Sequence, residues 1–197
     1  MSGGVYVLDD VIPKAYQDTL EMMFLNNKAK WNFMEDATAE GLKKLGKVPA
    51  FANVFYDERK PEVFDRTLFL ATLPLAQIAL DKIGYTEKYR PTKCRSFLQI
   101  PMNDGRALEP NLVHIDDAKQ HMVVLYYVND SDGDTVLYNQ MYGEVPDKAT
   151  YTDISYVTEY KRVSPKRGRA VVFDGLRYHT SSCPTDSPRC IINICVA

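Results

Sequence analysis

Three residues with metal-binding chemistry stand in a suggestive order: His114 and Asp116 with one residue between them, and His179 far downstream. Two positions apart on an extended strand, His114 and Asp116 project from the same face. A histidine arriving from a distant strand would complete a two-histidine, one-carboxylate triad. Such a triad holds Fe(II) from one side and leaves other coordination positions open for chemistry. Arg189 follows ten positions after His179. It adds a permanent planar cation that matches a carboxylate bidentately, so a dicarboxylate co-substrate has a place to be gripped.

The elements that must position these residues read differently in the two halves of the chain. In the first half, Val5 to Leu8 is a short β-prone run. Ile12 to Asn26 carries Tyr16, Leu20, Met23 and Phe24 near helical spacing behind Pro13. Phe51 to Tyr56 reads as a strand. Pro61 to Ile83 holds a long helical pattern in which Pro74 predicts a kink or a break into two helices.

From Cys94 onward, short β-branched and aromatic runs alternate with Pro, Gly, Asn and Asp clusters, the pattern of an all-β sandwich or barrel. The expected strands are Arg95–Ile100, Leu112–Asp116, His121–Val128, Thr135–Asn139, Ser155–Val163, Arg169–Phe173, Arg177–Ser181 and Arg189–Val196. On the last of these Arg189 shares a face with Ile191, Asn193 and Cys195, the expected interior. An inward arginine with no acidic neighbour in sequence needs an anionic partner, because an unpaired buried charge is costly. The helices are expected to pack on one outer face of the β unit, giving an α+β chain of one domain.

His121 is the third of three histidines. By alternation it faces the same way as Val123, Leu125 and Tyr127; were that face the interior it would lie near the site as an accessory group, its spacing from His114 suiting a facial triad less well than that of Asp116. Asp130, Asp132 and Asp134 alternate like the opening of a calcium loop, but the glycine is misplaced and no glutamate closes the frame, so a solvated acidic turn is expected. Lys161, Arg162, Lys166, Arg167 and Arg169 form a basic stretch around Ser164-Pro165, read as an exposed hairpin face. The four cysteines, Cys94, Cys183, Cys190 and Cys195, form no CxxC pair and are expected as buried thiols in a cytoplasmic protein. With 45% hydrophobic and 25% charged residues and a net charge of -2, the composition demands neither nucleic acid nor membrane. Met1-Ser2-Gly3-Gly4 has no basic or apolar leader pattern, so no signal peptide is expected.

Taken in order, His114-Ile115-Asp116, Leu125-Tyr126-Tyr127-Val128-Asn129, Gly168-Arg169-Ala170-Val171-Val172-Phe173, His179, and Arg189 leading into Ile192-Asn193 resemble the Fe(II)- and 2-oxoglutarate-dependent dioxygenases. The resemblance is to the prolyl-4-hydroxylase-like branch and covers roughly residues 93 to 197. The stretch from Asn129 to Thr135 looks like small members carried by bacteriophages, which would place the protein in a host cytoplasm. Relatives frequently have two glycines where this chain has Gly133-Asp134.

The resemblance implies a double-stranded β-helix (jelly-roll) core over 93–197, with 1–92 as a helical support region. It implies His114, Asp116 and His179 as iron ligands, Arg189 on the distal carboxylate of 2-oxoglutarate, and Tyr127 beside that carboxylate. Fe(II), 2-oxoglutarate and O2 would then serve hydroxylation of a C–H bond, with a peptidyl prolyl or other amino-acid side chain as the leading substrate class. The alternatives are the same chemistry on a small metabolite or a nucleic-acid base, and a jelly-roll binding module without turnover. The oligomeric state is left open.

Overall fold

The computed structural model describes residues 4–26, 29–36, 48–102, 110–145 and 154–197. The leader-free start expected at residues 1–3 lies outside them. Ten strands, two helices and one 3-10 turn are arranged as two facing sheets with helices outside. The strands are β1 (Val5–Leu8), β2 (Asn32–Met34), β3 (Ala50–Asp57), β4 (Pro91–Gln99), β5 (Met122–Tyr127), β6 (Thr135–Met141), β7 (Glu159–Val163), β8 (Ala170–Asp174), β9 (Arg177–Ser181) and β10 (Arg189–Val196). The large sheet runs β1-β8-β5-β10-β4-β3-β2 and the small one β7-β6-β9. All pairings are antiparallel.

Alternation along the large sheet decides what each face does. Val123, Leu125, Tyr127, Val171, Phe173, Ile191 and Cys195 face inward and meet Leu137 and Val163. The opposite residues of the same strands, among them Val124, Tyr126, Val172, Ile192 and Ile194, face outward onto the helices. Cys190 and Cys195 divide accordingly between the two clusters. All four cysteines are buried, free thiols.

Helix α1 (Lys14–Leu25) begins directly after Pro13 and seats Leu20 and Phe24 on that outer face. Helix α2 (Arg66–Lys82) is capped by Asp65, whose carboxylate accepts from Thr67 N at 3.0 Å and Leu68 N at 3.1 Å. The break expected at Pro74 does not occur: α2 is a single helix through it. The carbonyl that Pro74 leaves unmatched belongs to Leu70, a 53% exposed residue, while Leu75, Ala76, Ala79 and Leu80 hold the second half of the helix to the sheet. Both helices lie on the expected outer face, but residues 1–92 also lend the large sheet its strands β1, β2 and β3.

A second expectation is corrected. Leu112–Asp116 is not a regular strand; its pairing is reduced to the bridge between His114 and His179, with a further bridge between Pro110 and Ser182. The single bridge still fixes the site, because His114 N donates to His179 O and His179 N to His114 O, each at 2.9 Å. Most of the expected Ser155–Val163 strand is likewise shorter: Ile154–Tyr156 forms the 3-10 turn and pairing starts at Glu159.

Candidate metal centre

His114 and His179 are brought together by that bridge, their ring centroids 4.6 Å apart. Asp116 completes the group: ligand atoms of the three side chains all lie within 4.8 Å of one another. Asp116 Oδ1 stands 3.9 Å from His114 Nε2 and 3.8 Å from His179 Nε2. Metal–ligand bonds of about 2.1 Å meeting at right angles would set such atoms about 3 Å apart, so small torsional changes close the set.

The imidazoles are oriented for this. His114 Nδ1 lies 3.0 Å from Leu112 O, and His179 Nδ1 lies 3.0 Å from Arg177 O. A carbonyl can only accept, so each Nδ1 carries the proton and each Nε2 offers a lone pair toward Asp116. Burial, with His114 alongside, pushes His179 down to about 4 against the pull of Asp116, which keeps it neutral at physiological pH. For Asp116, burial alone would raise the pKa. Arg95, the two histidines and the Asn193 amide outweigh it and hold the carboxyl far below the usual range. Two imidazole Nε2 atoms beside one firmly ionised carboxylate form the donor set of a two-histidine, one-carboxylate facial triad.

The triad opens on a cavity of about 520 Å³. Phe97, Leu125 and Ile191 supply apolar walls, and Arg189 lies at its far end. The Arg189 guanidinium donates through Nη1 to Gln99 Oε1 at 2.9 Å and through Nη2 to Thr135 Oγ1 at 2.7 Å. Its Nε is buried without a partner. Arg189 is 2% exposed, and no carboxylate among the described residues lies within ion-pair distance of it. Burial accordingly presses its pKa downward, though a guanidinium stays charged. Among the described residues this buried cation has no paired anion, and Asp134 acts on it only from a distance.

Tyr127 stands one layer behind. Its hydroxyl donates to Thr135 Oγ1 at 2.7 Å, and the Arg189 guanidinium carbon lies 5.7 Å from its ring centroid. Burial raises the pKa of Tyr127, so it remains a neutral donor. Thr135 is therefore the residue that stands between Tyr127 and the cavity. His121 is not on the cavity wall. Its Nδ1 contacts Lys119 O at 2.7 Å, its ring covers Gly175, and its donor atom lies near Asp116 and Cys195 on the side away from the cavity.

Arg95, Gln99 and Thr135 line the cavity without having been singled out in the sequence, and Asn193, expected on the inward face of Arg189, joins them. Arg95 bonds Asp116 Oδ1, and Asn193 Nδ2 donates to Oδ2 at 3.0 Å. The signal for them was available: the alternation that turns Arg189 and Asn193 inward on β10 turns Arg95, Phe97 and Gln99 inward on β4.

The turn between β5 and β6 has a part that its acidic composition concealed. Asp132 accepts from Thr185 N at 2.8 Å and also bonds the Thr185 hydroxyl. Asn129 donates to Pro188 O at 2.7 Å and accepts from Cys190 N at 3.0 Å. These bonds clamp the segment that delivers Arg189. Gly133 sits against it so closely that a Cβ there would be 3.0 Å from Arg189 Cδ and from Ser182 O.

The chain matches no protein-family model, and no curated protein matches it in sequence. Solved structures do match. The α-ketoglutarate-dependent epimerase SnoN of nogalamycin biosynthesis superposes with a TM-score of 0.63 at 16% identity, over 98% of this chain and 76% of that one. A Pseudomonas putida prolyl-4-hydroxylase gives 0.57 at 15% identity, over 99% and 92%. The viral collagen prolyl hydroxylase of Paramecium bursaria Chlorella virus-1 gives 0.52 at 11% identity, over 99% and 96%. The fold is that of the 2-oxoglutarate-dependent oxygenases. This agrees with the jelly roll that the sequence resemblance implies.

Proposed function

We propose that this protein is an Fe(II)- and 2-oxoglutarate-dependent oxygenase that hydroxylates an unactivated C–H bond. The observation that carries the reading is the pairing of two features across one cavity. At one end are two imidazole nitrogens and one ionised carboxylate, and at the other a buried arginine has no acidic partner among the described residues.

His114, Asp116 and His179 would hold the iron. Bound there, iron supplies the oxidation of a C–H bond by O2, coupled to conversion of 2-oxoglutarate to succinate and carbon dioxide. The chain's own residues do the positioning. Arg189, fixed by Gln99 and Thr135, receives the distal carboxylate of 2-oxoglutarate, and Tyr127 holds Thr135 in place from behind. Phe97, Leu125 and Ile191 keep water from the space between. An amino-acid side chain is the substrate class to which the prolyl hydroxylases among the similar structures point. SnoN and the carbocyclase SnoK of the same biosynthesis show the fold also serving small molecules.

The test is succinate formation from 2-oxoglutarate by protein reconstituted anaerobically with Fe(II) and then exposed to O2. Succinate appears, and Asp116→Ala forms none. If the wild type forms none, with or without peptide, metabolite and oligonucleotide panels, the fold serves here as a binding module.

A further inference from the structure

The cavity holds a second buried cation. Arg95 lies on the inward face of β4 and lines the same wall as Phe97 and Gln99. Its side chain is 14% exposed, its guanidinium carbon lies 5.2 Å from the Phe97 ring centroid, and its Nε is buried without a partner. The guanidinium rests on Asp116 Oδ1. That oxygen is the one facing both histidine Nε2 atoms, while Oδ2 is already taken by Asn193.

A divalent ion at the triad and the Arg95 guanidinium thus need the same oxygen. In a buried site two such cations a few ångströms apart repel strongly. The second carboxylate that acts on Arg95, Asp57, is already shared by Lys93 at 3.9 Å and Arg59 at 3.7 Å, and Asp117 is paired with Arg59 at 3.0 Å. The space open to it is the cavity.

Charge balance then says what should meet it there. Among the described residues lining it, a loaded site would hold the doubly charged metal, Arg189 and Arg95 against Asp116. 2-Oxoglutarate neutralises two of the three remaining charges, one at Arg189 and one at the metal. One positive charge is left enclosed, and a buried cation without an anion is costly.

We propose that Arg95 is a carboxylate anchor for the prime substrate, parked on Asp116 until a metal ion displaces it. The proposal rests on the iron and 2-oxoglutarate reading and narrows it. The substrate is a small molecule with a free carboxylate, such as an amino acid, rather than a residue within a peptide.

Cobalt(II) titrated calorimetrically into wild type, Arg95→Met and Arg95→Lys reads the displacement. Loss of the competing charge tightens cobalt binding about tenfold in Arg95→Met, while Arg95→Lys stays near wild type. Should Arg95→Met fail to fold without metal, Arg95→Gln, which keeps a donor for Asp116 without the charge, is read the same way. Cobalt affinity unchanged or weaker in the folded neutral variant overturns the parking of Arg95.

The anchoring is read on iron-loaded protein, by 2-oxoglutarate consumption with free L-amino acids against their amides. One or more of the acids stimulates consumption in the wild type, the matching amide does not, and Arg95→Met loses the preference. Amides as effective as acids, or no acid effective, overturns the substrate assignment. So does a tenfold loss of 2-oxoglutarate affinity in cobalt-loaded Arg95→Met, which would give the anchor to the co-substrate instead. Failure of the underlying iron reading looks different, because the wild type would then bind neither cobalt nor 2-oxoglutarate.

Discussion

Asp116 is a candidate metal ligand by geometry and a buried charge by environment, and the two roles make different demands. As a charge it is satisfied by Arg95 and Asn193; as a ligand it must turn one oxygen toward two imidazoles. Asp116→Ala removes the anionic ligand, and divalent metal affinity should fall by at least about a hundredfold, measured by calorimetry. A variant that binds as tightly as wild type would show that another carboxylate completes the site. Arg189→Ala leaves the metal ligands intact, and its effect should fall on 2-oxoglutarate. Losing one side of a buried charge pair costs about 2 kcal/mol or more, so the co-substrate Kd should rise about 30-fold at unchanged metal affinity. Gly133→Ala tests the same residue indirectly. With Arg189 Cδ and two backbone atoms this close to the new methyl, the guanidinium cannot keep its place, and 2-oxoglutarate binding should weaken. Wild-type affinity in that variant would show that the β5–β6 turn gives way instead.

Among the elements, the β5–β6 turn and the segment before β10 form the least obvious working part. Burial raises the Asp132 carboxyl, but hydrogen bonds from Thr185 and Asp186 outweigh it, and the net shift is downward. A carboxyl lowered by folding adds stability above its unfolded pKa and loses it as pH falls through the folded value. Wild type should therefore lose more stability than Asp132→Asn on acidification from about pH 5 to pH 3. At neutral pH the variant should be about 1–2 kcal/mol less stable by denaturant unfolding. Equal acid sensitivity in the two proteins would remove this account of Asp132. The sequence showed the acidic turn but not its partner, because Asp132 and Thr185 are far apart in the chain and nothing local joins them. The triad and Arg189 were legible for the opposite reason. Histidines are scarce here, and an inward arginine on an apolar strand has few explanations. Arg95 is less legible because an arginine opening a strand reads equally well as an exposed edge residue until its register against β10 turns it inward. Pro74 leaves α2 unbroken because the core holds the helix on both sides of it.

At the scale of the whole molecule, the basic stretch from Lys161 to Arg169 acts as a fastener rather than a charged patch. Arg169 and Lys166 pair with Asp9, Arg167 with Asp18 and Glu21, and Arg162 with Glu159. Three of these residues tie β8 and the turn before it to the N-terminal segment. With their charges matched within the chain, the protein should show no measurable affinity for single- or double-stranded oligonucleotides at physiological salt by fluorescence anisotropy. Salt-sensitive binding there would instead favour a nucleic-acid substrate. No helix among the described residues is long and apolar enough to cross a membrane. What the two sheets and their outer helices achieve together is to bring one candidate triad and one arginine to the same half-open, largely apolar cavity. The most direct test is 2-oxoglutarate titrated anaerobically into the protein with and without Fe(II). The account predicts tight binding that depends on iron, is abolished in Asp116→Ala and is weakened in Arg189→Ala. Binding of equal strength without metal, or none in its presence, would contradict it.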